Sequence, residues 1–165
     1  MTIKTFILHQ LREMKREVLA AVEGLSEEDM TSHEPGNHWP IAWIVQHCCS
    51  NVDIALDKTI KGKLFLEHEK KFRTWPLIEP RPGDKYPPLG ELQQRWSSIA
   101  DAVTGEIEKI DESRLHVTPP EGVEPIIESV LRVINHQNSH LRNIWYILGQ
   151  RRVDDKWAEQ QTWLA

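Results

Sequence analysis

Two histidines at a spacing of four, His136 and His140, are the residues of this sequence most suited to chemistry. On a helix this spacing places both imidazoles on one face, with Cβ atoms about 5–6 Å apart. Such a pair can bind one metal ion, but alone it makes a weak and open site. His47, in an earlier amphipathic segment, is the natural third ligand. Packed helices lie roughly 8–10 Å apart, and imidazoles from two helices can span that gap to meet an ion at about 2.0–2.1 Å.

Three neutral imidazoles suit a late divalent ion, with zinc and nickel as the first candidates and iron or manganese as others. They leave a coordination position for water or substrate, whereas a structural zinc site normally has a fourth protein ligand. A water bound to the metal in that position could be the catalytic group, and no side chain is assigned that role. Since the chain has eight histidines, a chance pair of solvated or hydrogen-bonded imidazoles is the alternative interpretation.

The remaining sulfur and imidazole groups favour structural roles. Cys48 could serve as a fourth ligand or nucleophile, but its place on an apolar stripe favours a buried core thiol. Cys48 and Cys49 are adjacent on a helix, where disulfide geometry is very hard to reach, so they indicate a reducing compartment. The other histidines are interpreted as surface or loop residues: His9, His33, His38, His68 and His116. Of these, His38 and His68 could approach the site opening.

Four segments with apolar residues at helical spacing must position these groups, which predicts an all-α fold in one domain, residues 1–165. The first stripe, ended by Gly24, contains Ile7, Leu11, Met14, Val18 and Val22. The second, from Pro40 to about Lys61, contains Ile41, Ile44, Cys48, Val52 and Ala55. The third contains Leu89, Leu92, Trp96, Ile99, Val103, Ile107 and Ile110. The fourth, ended by Gly149, contains Ile127, Leu131, Ile134, Asn138, Leu141, Trp145 and Leu148.

The connections between these stripes differ in kind. Ser26 precedes three acidic residues and is predicted to cap a short helical turn. Residues 62–88 lose the helical pattern and contain five prolines in their second half, which predicts a long loop of the kind that often forms a lid or binding loop. Beyond the fourth stripe, Trp157 and Trp163 could cover the helices or a dimer partner.

Composition narrows the function classes. The net charge of −5 arises from interleaved acids and bases, so nucleic acid is not an expected partner. No apolar run approaches the roughly 18 residues of a membrane span, and a membrane is not an expected partner either. The N-terminus lacks the features of a secretory signal, so we expect a cytoplasmic protein.

Three segments resemble the DinB/YfiT-like family of metal-dependent enzymes: residues 24–29 (GLSEED), residues 35–47 (PGNHWPIAWIVQH) and the H-x3-H pair near the end of the last stripe. The resemblance covers nearly the whole chain. It implies an up-down-down-up four-helix bundle with a long loop between helices 2 and 3, frequently as a homodimer. The family's metal triad, one histidine in the second helix and an H-x3-H pair in the fourth, corresponds to His47, His136 and His140.

The resemblance also implies a reaction class. Characterised relatives are metal-dependent transferases or isomerases that use a low-molecular-weight thiol such as bacillithiol, mycothiol or glutathione with a small-molecule substrate. A metal-dependent hydrolase and a non-enzymatic, stress-associated metal-binding bundle are the alternatives. Where relatives often have Gly-Gln two and three residues after the last histidine, this chain has Arg142-Asn143, which indicates different helix packing or substrate access.

Overall fold

Five α-helices, and no strand, are found in the residues that the computed structural model describes, which are 1–33, 39–56, 60, 80–81, 83–120 and 122–151. The helices are α1 (Ile3–Val22), α2 (Glu27–Thr31), α3 (Ile41–Leu56), α4 (Leu89–Lys109) and α5 (Ile126–Arg151). A 3-10 helix, Glu112–His116, joins α4 to α5. The predicted all-α class is confirmed.

The predicted turn between α1 and α2 is present. Gly24 has a φ of 76°, a conformation that glycine adopts without a Cβ penalty, and α1 ends just before it. Ser26 then forms a capping box with Asp29, in which each side chain accepts a hydrogen bond from the other residue's backbone N–H. The α2 carboxylate of Glu27 accepts the backbone N–H of Leu89 at 2.9 Å, which links α2 to the start of α4.

The long helices surround one hydrophobic core, with α1 and α3 each packed against both α4 and α5. The predicted stripe of α1 is buried, and so is that of α4 except for the partly buried Leu89. The α4 stripe includes the fully buried Trp96, whose indole N–H donates to the Lys15 carbonyl at 3.2 Å. Lys15 also pairs with Asp101, while Lys4 donates to the Ile110 carbonyl at 2.6 Å. Early residues of α1 thus meet late residues of α4, so these two helices run in opposite directions.

The predicted face of α5 is confirmed only in part: Ile134, Leu141 and Leu148 are buried, but the other four predicted residues are not fully buried. The most buried line contains Ile126, Val130, Val133, Gln137 and Ile144. By contrast, Ile127, Leu131 and Trp145 are only partly buried beside the core, and Asn138 is half-buried. Successive helical residues point about 100° apart, and apolar residues occupy both neighbouring lines because α5 packs against α1 on one side and α3 on the other.

The predicted end of α5 at Gly149 is wrong, because the helix continues to Arg151. Gly149 is not among the glycines with positive φ, and only that conformation would end the helix in the expected way.

Several predictions lie outside the described residues: most of the continuation of α3 to Lys61, most of the loop 62–88, the tail with Trp157 and Trp163, and the positions of His38 and His68. Within the loop, residues 84–88 are non-helical and lead directly into α4. No helix in the described part of the chain combines the length and apolar character needed to cross a membrane.

Candidate metal centre

The three predicted ligands lie together between α3 and α5. His47 is on α3, which begins immediately after Pro40, and His136 and His140 are one helical turn apart on α5. His47 and His140 are 6% and 7% exposed, and His136 is half-buried. Burial of polar rings in the contact between two helices is costly unless they have partners, and in this cluster the rings contact one another.

The ring nitrogens converge on one point. His136 Nε2 is 3.3 Å from His47 Nε2 and 3.2 Å from His140 Nε2. One ligand nitrogen from each of the three residues lies within 4.8 Å of the others. Two nitrogens bound to one tetrahedral ion at 2.0–2.1 Å would be about 3.3–3.4 Å apart. The two measured separations therefore fit nitrogen donors arranged around a shared ion.

A hydrogen-bond explanation of the same contacts is less complete. His136 Nε2 takes part in both short contacts, and as an acceptor it has only one lone pair in the ring plane. As a donor it has only one proton to divide between two partners. A cation at the centre would satisfy all three lone pairs at once, so the donor set fits a metal ion.

The electrostatics also suit metal ligands. Burial lowers the pKa of His47 to about 4, with a further contribution from His136. Burial lowers the pKa of His140 to about 3, assisted by His136 and His47. Burial lowers the pKa of His136 as well. All three imidazoles are therefore neutral near pH 7, the form in which histidine binds a metal.

Residues 10–144, most of the chain, match the family profile of the DinB superfamily. The chain belongs to the DinB superfamily. No curated protein matches it in sequence. The match spans the histidine of α3 and both histidines of α5, so the three clustered residues lie within the matched region.

Two tryptophans of this DinB-superfamily chain surround the histidines. Trp43 is 4% exposed and stacks on His47, with ring centroids 4.9 Å apart and planes inclined by 10°. Trp39 lies 4.8 Å from Trp43 and 5.9 Å from His140, measured between centroids. Neither contact was predicted from the sequence. The spacing of four between Trp43 and His47 was the signal for the first, because residues four apart share a helix face.

The outer nitrogens of two rings depart from the usual pattern of metal sites. Metal-binding histidines generally donate their second ring N–H to a carboxylate, carbonyl or water. Among the described residues, Nδ1 of His136 and Nδ1 of His140 are buried without a hydrogen-bond partner. These two imidazoles make an edge-to-face contact with each other, with centroids 4.4 Å apart, which is a favourable aromatic geometry.

The remaining candidates lie apart from the cluster. Cys48 is 1% exposed, and burial followed by the neighbouring Cys49 raises its pKa well above the usual range, which confirms the predicted core thiol. Neither cysteine forms a disulfide. Arg142 is exposed on α5, so its bulk meets solvent rather than a neighbouring described helix. His9 and His116 are exposed and His33 is half-buried.

Proposed function

We propose that His47, His136 and His140 bind a divalent metal ion and that the chain is a metal-dependent enzyme transferring a low-molecular-weight thiol to a small-molecule electrophile. The observation that supports this most directly is the convergence of three Nε2 atoms at separations of 3.2–3.3 Å through His136. Zinc and nickel are the first candidates for the ion, and iron and manganese are others.

The donor count supports an open site. In the described part of the chain, the cluster consists of three imidazoles, one fewer than a closed tetrahedral site contains. When bound there, a divalent ion would lower the pKa of a thiol and polarise an electrophile in the open position. The chain's own contribution is to keep the imidazoles neutral and to hold the α3 ligand against the α5 pair.

An external thiol fits better than a thiol of the chain. Cys48 is the cysteine next to a proposed ligand, but its thiol is buried and its raised pKa keeps it protonated. Because the thiolate is the reactive form, Cys48 is a poor nucleophile at neutral pH. The family resemblance supports bacillithiol, mycothiol or glutathione as the co-substrate.

The same proposal includes an up-down-down-up four-helix bundle formed by one domain, residues 1–165, acting in the cytoplasm as a homodimer without nucleic-acid or membrane partners. The opposite directions of α1 and α4 support this topology. So does the pairing of α3 with α5, in which Trp39 is near His140 and Asn51 is near Gln137. Parallel α3 and α4 would need a long crossover, and 32 residues separate Leu56 from Leu89.

The activity is tested with metal-loaded protein, a panel of the three thiols and a chromogenic electrophile. We expect product formation that requires both thiol and metal and that is lost in His47→Ala. Stoichiometric metal without turnover across the panel would contradict the transferase and favour the metal-binding bundle. Hydrolysis of ester or amide substrates without thiol would favour the hydrolase instead.

A further inference from the structure

A buried amide joins the two helices beside the proposed ligands. Gln137 follows His136 on α5 and is 0% exposed. Its side-chain amide nitrogen donates to the Cys48 carbonyl at 3.3 Å and to Asn51 Oδ1 at 3.4 Å, both on α3. Cys48 in turn follows His47. Gln137, the neighbour of the proposed α5 ligand His136, is therefore hydrogen-bonded to Cys48, the neighbour of the proposed α3 ligand.

Stability alone does not explain an amide at this position. Gln137 lies on the most buried line of α5, between Val133 and Ile144, where an apolar side chain would normally pack. In the described part of the chain, its Oε1 atom is buried without a hydrogen-bond partner, and an unsatisfied buried polar atom is destabilising. Both hydrogen bonds that it donates are long, so their contribution is modest.

The geometry of the proposed ligands indicates a function for the Gln137 amide. His136 and His140 are held relative to each other by the turn of helix between them. His47 reaches them only through the packing of α3 on α5, and a slide by one residue would move it about 1.5 Å. Metal–nitrogen distances tolerate only about 0.2 Å. A polar group buried between helices can specify their register even where it lowers stability.

We propose that Gln137 is a positioning residue, which fixes the register of α3 on α5 so that His47 meets His136 and His140 at the metal. This inference rests on the proposed metal site. It predicts that replacing the amide by an apolar side chain of similar size weakens metal affinity without lowering metal-free stability.

The test is titration of tag-free protein with Co²⁺, whose visible absorption reports coordination geometry. For Gln137→Met we expect an affinity at least about tenfold weaker and altered absorption bands, as for outer-shell changes at other metal sites. We also expect a metal-free stability equal to or above that of the wild type, because the unsatisfied Oε1 is removed. Gln150→Met, the same change at an exposed position of α5, should leave both quantities unchanged.

A second variant covers the case in which Gln137→Met does not fold. Asn51→Ala removes one of the two acceptors from a half-buried position and should weaken Co²⁺ binding in the same direction by a smaller factor. If the wild type binds Co²⁺ and both variants bind it with the same affinity as the wild type, the positioning role is overturned but the metal site is not. Parallel losses of affinity and metal-free stability in Gln137→Met would also overturn it. Failure of the wild type to bind Co²⁺ would overturn the metal site itself.

Discussion

Trp43 lies parallel to His47, with their ring centroids 4.9 Å apart and an angle of 10° between the planes. The indole is almost completely buried and restricts the rotation of the imidazole, which keeps its Nε2 directed at His136. Stacked aromatic pairs contribute about 0.5–1.5 kcal/mol beyond the area that they bury. The orientation of His47 therefore depends on its packing against Trp43. Variants of buried tryptophans can distinguish an effect on stability from an effect on metal binding.

Replacing Trp43 by leucine should lower the free energy of unfolding by roughly 0.5–3 kcal/mol and also weaken metal binding. Trp96→Leu is the matched control, because Trp96 is equally buried but lies on α4 and has no ring contact with the histidines among the described residues. It should lose stability while keeping metal affinity. Urea denaturation and Zn²⁺ titration of both variants give the comparison, and equal affinities would refute a role for the stacked indole.

Much of this site was predictable from sequence, and the rest depended on packing. The spacing of His136 and His140 indicates a shared helix face, whereas the approach of His47 depends on how α3 packs on α5. The error in α5 has the same origin. Apolar residues occupy two neighbouring faces of this helix, and the local pattern predicted the face with Asn138 although the face with Gln137 is more buried. A buried glutamine beside a predicted ligand has no periodic signal, so its contacts with α3 emerged only from the structure.

Acid should destabilise the metal-free protein through its histidines. The folded pKa of His47 is about 4 and that of His140 about 3, both below the model-compound value of 6.5. Between those values the unfolded chain binds more protons, so stability falls as the pH falls from about 6.5 towards 4. Well above pH 6.5 these rings are neutral in both states, and they contribute no pH dependence.

The measurement is urea denaturation of metal-free protein at several values between about pH 7.5 and 5. A variant with glutamine at positions 47, 136 and 140 should show a shallower fall of unfolding free energy with acid than the wild type. Identical pH profiles for the two proteins would show that the histidines are not buried in neutral form.

Bound metal should stabilise the folded state. With free Zn²⁺ at 100 times its dissociation constant, the free energy of unfolding should rise by about 2.7 kcal/mol. His136→Ala should abolish this gain, because His136 Nε2 makes both short contacts of the cluster. Denaturation with and without Zn²⁺ checks the expectation, and a chelator should reverse the effect. An equal gain in the variant would place the metal elsewhere.

The thiol of Cys48 should be unreactive in the folded protein. Its burial and raised pKa predict that iodoacetamide modifies it only after unfolding, as followed by mass spectrometry of each cysteine. Cys48→Ala should retain both metal content and thiol-transfer activity. Rapid alkylation in the native state, or loss of activity in this variant with its metal content intact, would instead support Cys48 as a nucleophile.

The central claim is that three imidazoles bind one metal ion, and metal analysis of protein purified without a histidine tag tests it most directly. We expect one divalent ion per chain in the wild type and a strong loss of metal from His140→Ala, while His9→Ala, at an exposed histidine of α1, keeps full occupancy. Full occupancy in His140→Ala would contradict the account.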